Sequence, residues 1–204
     1  MKRPYSSARR TSAAAETRRA VLAAALALFE ERGFVAATLA EIAARAEVAV
    51  NTVYTSVGGK PQLLIELVKE ASADEEIERA MAEVRAARSG HAVIEALASG
   101  TSAVFKNSSW VLGTLYDNAA NDPQIADAVA DAEARYASRL AEAAAKIASL
   151  GDLRADLDSA TASNVLWFYF GFRPWRDLLG RGWTWDRAAA WLVAQAEHAL
   201  LARA

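Results

Sequence analysis

The stretch TLAEIAARAEVAVNTVYTSVGGK, residues 38–60, decides the fold. Thr38-Leu39-Ala40-Glu41 reads as a capping box, with Thr38 at the N-cap and Glu41 at N3, so that each side chain satisfies a backbone N–H that a helix start leaves free. Leu39, Ile42, Ala43 and Ala46 then fall at i, i+3, i+4 and i+7, one face of a helix. After a short break Val50, Val53, Tyr54 and Val57 repeat that spacing, and Gly58-Gly59 ends it. Two helices of about seven residues joined by a tight turn match a helix-turn-helix, in which the second helix enters the major groove of DNA. Between the apolar positions of the second helix, read as buried, stand Ala49, Asn51, Thr52, Thr55 and Ser56. These side chains are short and uncharged, and they permit close approach to base edges, with Asn suited to adenine and Thr methyls to thymine. A solvated surface helix would more often carry Glu and Lys, although Ser, Thr and Asn also serve as local caps.

Outward from this stretch every pattern is helical. Order is expected from Thr17, where Val21, Leu22, Ala25, Leu28 and Phe29 follow a 3.6-residue period up to Gly33 at a C′ position. Residues 1–16 lack such periodicity and read as a basic flexible arm. Lys60-Pro61 opens a fourth helix with Leu63, Leu64, Leu67 and Val68 on one stripe, continuing to about Arg88. Further helices are predicted over 91–106, 109–119, 124–149, 157–171 and 186–202. Asp122-Pro123 and Thr184 mark starts, Gly151 and Gly182 mark ends, and Pro174 reads as a kink or break. No strand signal and no internal repeat occurs. The expected architecture is all-α with about nine helices: an arm at 1–16, a three-helix head over 17–62 and a helical body over 63–204.

Composition narrows the function. The 204 residues include 50 alanines, no cysteine and two histidines, His91 and His198. Sulfur redox chemistry and thiolate metal sites are excluded, and His-rich metal sites have few candidates. Neither histidine has a Glu three residues before it, so a diiron bundle is unsupported, and no Gly-x-Ser-x-Gly elbow occurs. No enzyme activity, cofactor or metal is expected. The net charge of −2 hides a segregation: residues 1–20 carry +5, residues 1–62 carry +4 and the remainder −6. A basic head on an acidic body fits a nucleic-acid-binding module, with Arg9, Arg10, Arg18 and Arg19 available to phosphates or a minor groove. The densest apolar run, Val165–Phe172, is too short to span a bilayer, and no signal-peptide h-region follows Lys2 and Arg3. A cytoplasmic protein with no membrane partner is expected.

Residues 18–64 resemble the DNA-binding head of the tetracycline-repressor (TetR) family. The resemblance rests on Arg18, Leu28-Phe29, Gly33-Phe34, Thr38, Ile42-Ala43, Ala46, Val48, Thr52-Val53-Tyr54, Lys60 and Leu63, with spacing intact. Three positions depart from the family pattern: Glu47 where the turn usually has Gly, Ala49 where Ser is frequent, and Val57 where Phe is frequent. The resemblance implies that Thr38 meets a phosphate as well as capping its helix, that Tyr54 packs its ring inward and offers its hydroxyl, and that Lys60 reaches a phosphate. DNA-contacting candidates are therefore Arg18, Thr38, Ala49, Asn51, Thr52, Tyr54, Thr55, Ser56 and Lys60.

For the body the resemblance implies a ligand-binding and dimerisation domain. Its aromatic residues cluster at 105–116 and 167–191, more rings than Ala-rich helices need as filler, which suggests an apolar cavity for a flat or greasy small molecule. Pocket candidates are Phe105, Trp110, Tyr116, Asn118, Trp167 and Phe168. The family's four-helix dimer interface maps onto the last two long helices, with Val165, Phe172, Trp191, Leu192 and Gln195 as contacts. The implied function is a homodimeric repressor that binds a palindromic double-stranded DNA operator and is released by a small effector. The rival reading is a helical protein-interaction module without sequence-specific DNA binding.

Overall fold

The computed structural model describes residues 5–71 and 74–202. Among these residues the chain forms ten helices: α1 (Tyr5–Arg32), α2 (Leu39–Arg45), α3 (Val50–Ser56), α4 (Lys60–Ala71), α5 (Asp74–Ala86), α6 (Gly90–Asn118), α7 (Pro123–Ser149), α8 (Ser159–Phe170), α9 (Phe172–Gly180) and α10 (Trp185–Leu200). No strand is present among them, only an isolated bridge between Leu153 and Leu201. None of these helices is long and apolar enough to cross a membrane.

Several boundaries differ from the expectation for identifiable reasons. Helix α1 begins at Tyr5 rather than near Thr17, so residues 5–16 of the segment expected to be an arm are helical. Its run of Ala, Ser and Arg contains no Gly or Pro, and propensity extends a helix where amphipathicity is absent. The helices expected at 91–106 and 109–119 are one, α6. The polar Asn107-Ser108-Ser109 step does not break it, because Ser108 Oγ donates to the Val104 carbonyl four residues back, at 2.6 Å. Pro174 breaks nothing: it is the third residue of α9, in the first turn, where a missing N–H costs no helical bond. The expected continuity of the fourth helix to Arg88 turns on Ser72 and Ala73, which lie outside the described residues.

The chain divides into two compact units, Met1–Ala71 with Trp110–Val129, and Ser72–Ser109 with Ala130–Ala204. In the first, α1 to α4 close around Val21, Leu22, Ala25, Leu28, Phe29, Ile42, Ala43, Val53, Leu63 and Leu64, all buried. Removing such branched and aromatic side chains from water is worth roughly 1.5–3 kcal/mol each. In the second, Ile94 and Leu97 of α6, Leu140 and Ile147 of α7, Leu166 and Phe170 of α8, Trp175 of α9 and Leu192 of α10 form one core.

Candidate nucleic-acid interface

The local chemistry of residues 38–60 is visible bond by bond. Thr38 accepts from the Glu41 N–H at 3.3 Å, and Glu41 Oε2 accepts from the Thr38 N–H at 3.0 Å, which completes the capping box. Donors from Thr38 and the nearby charge of Arg32 hold the Glu41 carboxyl below the usual carboxylate range. Helix α2 ends in a Schellman motif: the Val48 N–H donates to Ala43 O at 3.0 Å and the Glu47 N–H to Ala44 O at 3.2 Å. That motif requires a left-handed residue, and Glu47 supplies it with φ of 56°. The turn therefore keeps the conformation that glycine favours, with an exposed carboxylate in glycine's place. At the end of α3, Gly58 has φ of 122°, a conformation closed to side-chain-bearing residues, and its N–H returns to Val53 O.

Helix α3 buries Val53 alone. This corrects the expectation that Val50 and Tyr54 face inward: Tyr54 is 54% exposed and Val50 41%. Val53 is the position of α3 that is covered, and Val50 and Tyr54 lie on its flanks. The outward surface thus comprises Ala49, Val50, Asn51, Tyr54 and Thr55, all exposed, while Thr52 and Ser56 are half-buried. The Thr55 and Ser56 hydroxyls donate to the carbonyls of Thr52 and Val53, both at 3.2 Å.

Four cations of this unit, Arg18, Arg32, Arg45 and Lys60, are engaged within the protein. Arg18 Nη1 donates to Ser56 O at 3.1 Å, and its Nη2 pairs with Glu66. Arg45 and Glu31 form a two-pronged pair at 2.7 and 2.9 Å, and Arg32 pairs with Glu41. Lys60 spends two of its three N–H donors on the carbonyls of Val35 and Ala37, each at 3.0 Å, and sits over the Phe34 ring at 4.8 Å. Partial burial pushes the Lys60 pKa down. Lys60 thus ties the start of α4 to the loop that leads into Thr38. Sequence spacing gave no signal for these tethers, which join residues 9 to 48 positions apart.

The body candidates separate. Phe105 and Trp167 meet in the second unit around Tyr136, with ring centroids 6.4 and 5.8 Å from it, and Phe105 packs edge-on against Phe172 at 5.3 Å. Tyr136, missed by the sequence reading, is the hub: its hydroxyl bonds Thr101 Oγ1 and donates to Phe170 O, each at 2.9 Å. A lone tyrosine within the Ala-rich α7 was the available signal. Trp110, Tyr116 and Asn118 belong to the first unit, where Asn118 donates to its own helix at Thr114 O. Phe168 lines no interior, being 67% exposed. Among the interface candidates, Phe172 and Leu192 are buried in their own chain, so they are core; periodicity marks apolar positions without saying what covers them. Trp191 is 42% exposed, and Val165 and Gln195 are half-buried. No group of three or more His, Cys, Asp or Glu among the described residues is placed to hold a metal.

Comparison with known proteins gives a family match for the head and fold matches over most of the chain. Residues 21–67 match the family model described as bacterial regulatory proteins, tetR family. No curated protein matches the sequence. The fold is similar to that of a putative transcriptional regulator from Saccharomonospora viridis in complex with choline, at TM-score 0.74 and 20% identity over 93% of this chain and 100% of that one. It is similar also to NalD, the secondary repressor of the MexAB-OprM multidrug efflux pump in Pseudomonas aeruginosa (TM-score 0.72, 20% identity, 93% and 98% covered). The complex of SmeT with triclosan gives TM-score 0.69 and 18% identity over 91% and 92%, SmeT being the repressor of the Stenotrophomonas maltophilia pump SmeDEF.

Proposed function

We propose that this chain is a TetR-family transcription regulator with a helix-turn-helix DNA-binding head, a homodimeric repressor that reads a palindromic operator and lets it go when a small apolar or aromatic ligand binds. The observation that carries the reading is α3 itself: a helix fixed by one buried residue, Val53, with Asn51, Tyr54, Thr55 and the small Ala49 turned outward. Those groups offer an amide for adenine and methyl or ring surface for thymine. At the start of α2, Thr38 leads a helix N-terminus where a phosphate is favoured, and the remaining donor of Lys60 serves the same backbone.

Dimerisation is supported by apolar surface and by mechanism. Phe168 on α8 and Trp191 on α10 are large and exposed, apolar surface that a second copy of the chain would cover. One short recognition helix reads only a few base pairs, whereas two related by a dyad read half-sites about one helical turn apart, roughly 34 Å. The ligand class is supported by the ring cluster of Phe105, Tyr136, Trp167 and Phe172, and by the triclosan named with SmeT. Release follows from linkage: a ligand that prefers the DNA-free arrangement lowers operator affinity by the factor by which DNA lowers its own.

The test is selection of bound duplexes from a random pool by the purified protein near physiological salt. Enrichment of a palindrome is expected. Binding without enrichment that fades as salt rises would leave only phosphate attraction and favour the protein-interaction reading.

A further inference from the structure

Arg18 was expected to face phosphates, and its place in the first unit gives it a different task. Its guanidinium is a rigid planar fork. One prong holds Ser56 O, the carbonyl of the last residue of α3, which no intrahelical N–H can reach. The other holds Glu66 of α4. Glu66 is only 17% exposed at its side chain, and its second oxygen accepts from Gln62 Nε2 at 2.7 Å and Lys69 Nζ at 2.9 Å. Burial works against the Glu66 charge, but these donors together with Arg18 outweigh it and keep its pKa below the usual value.

Gln62 extends the chain in one direction only. A carboxylate accepts and does not donate, so Gln62 must turn its NH2 toward Glu66 and its carbonyl oxygen away. That oxygen accepts from Gln124 Nε2 at 2.6 Å. Gln124 sits in the first turn of α7, which is fixed by Asp122 Oδ1 accepting from the N–H groups of Gln124 and Ile125 at 2.9 and 3.1 Å, and by the fully buried Ile125. The later residues of the same helix, Leu140 and Ile147, belong to the core of the second unit.

We propose that Gln124 is a positioning residue for DNA recognition, acting through Gln62, Glu66 and Arg18 on the C-terminal carbonyl of α3. The inference rests on the DNA-binding reading above and adds to it the residues by which α7 bears on the recognition helix. A displacement of Gln124 by about 1 Å takes its bond from 2.6 Å past the distance at which such bonds hold. Gln62 then keeps only its tie to Glu66, and Arg18 holds Ser56 O from a less constrained carboxylate. Affinity for the correct sequence falls while phosphate attraction, which needs no orientation of α3, persists.

The polarity of the chain supplies the test. Full-length protein is titrated onto its selected duplex and onto a scrambled one across a salt series, with thermal unfolding measured in parallel. Gln124→Ala is expected to weaken specific binding about threefold to tenfold, inside the roughly twofold to thirtyfold span of changes along a coupled network, with scrambled-duplex binding, salt slope and unfolding temperature unchanged. Gln124→Lys restores a donor and recovers specific affinity, whereas Gln124→Glu sets acceptor against acceptor and loses at least as much as Ala. In an Arg18→Ala background, Gln124→Ala has no further effect. Specific affinity within twofold of wild type for both Ala and Glu, or full additivity with Arg18→Ala, overturns the proposal. A wild type that selects no duplex at all overturns the DNA-binding reading and this inference with it, a result separable from the others because it appears before any variant is compared.

Discussion

Glu47 is the one non-glycine residue with positive φ among the described residues, and replacing it with glycine tests whether the turn is under strain. An L-residue in the left-handed helical region costs about 1–2 kcal/mol, because Cβ crowds the following carbonyl oxygen. Glycine escapes that cost but loses more chain entropy on folding, about 0.5–1 kcal/mol. The difference leaves Glu47→Gly more stable by about 0.5–1 kcal/mol, since the Schellman bonds from Val48 and Glu47 are backbone bonds and survive the change. In a chain of this size that is about 1–4 °C in Tm at fixed protein concentration. Urea unfolding followed by circular dichroism should show a higher midpoint at unchanged slope. Glu47→Gln separates backbone from charge, because it removes the carboxylate and keeps Cβ; it should leave the midpoint near wild type. Equal stabilisation by Gln and Gly would refute the strain argument and assign the effect to charge, and a lower midpoint for Gly would refute it outright.

Three other outcomes follow from the same geometry. Because two Lys60 donors are spent on Val35 O and Ala37 O, Lys60→Met should lower the unfolding temperature and reduce the log-log salt slope of DNA binding by less than the about 1.8 that one whole phosphate per head of a dimer would give; a full loss of slope with unchanged stability would contradict this. Trp191→Glu should yield folded monomer by sedimentation, whereas Leu192→Ala should cost roughly 2–5 kcal/mol of stability whatever the oligomeric state, since Leu192 is 1% exposed within its own chain. The His91 ring bonds Glu197, which raises its pKa along with the charge of Glu95 3.3 Å away. A raised folded pKa means that this stabilisation is full below about pH 6.5, the unfolded value, and is lost as pH rises through the folded one. His91→Ala should flatten stability in that window, and an unchanged profile would remove the pair from the account.

What the sequence made legible was whatever depends on neighbours within four residues. The Thr38 box, the Asp122 and Thr184 caps and the glycines at 33, 151 and 182 with positive φ all stand where their chemistry predicted. Helix α9 escaped because it starts directly after Gly171 and places Pro174 where proline is harmless. Phe172 and Leu192 show the limit of periodicity: an apolar stripe is covered by something, and whether the cover is the same chain or a second copy depends on packing. The tie between Gln62 and Gln124 spans 62 positions and carries no local pattern at all.

The pairing of the inner arginines also moves the electrostatics of DNA binding to a different place from that implied by the charge count. Residues 1–62 carry +4, but Arg18, Arg32 and Arg45 each face a carboxylate, and a paired guanidinium presents little net charge to a phosphate. Of the remaining cations Lys2, Arg3, Arg9 and Arg10 lie in the first ten residues, ahead of the exposed Arg19. Deleting residues 1–10 should therefore lower the salt slope of binding more than neutralising any one arginine among positions 18, 32 and 45. Four cations on each of two chains bound the loss at about 7, and engagement of even a quarter of them gives a drop of about 2. With base readout placed on α3, as proposed above, the preferred sequence should be retained while affinity for every duplex falls. An unchanged slope after the deletion, or a changed sequence preference, would show that the N-terminal charge is not what draws this head to DNA.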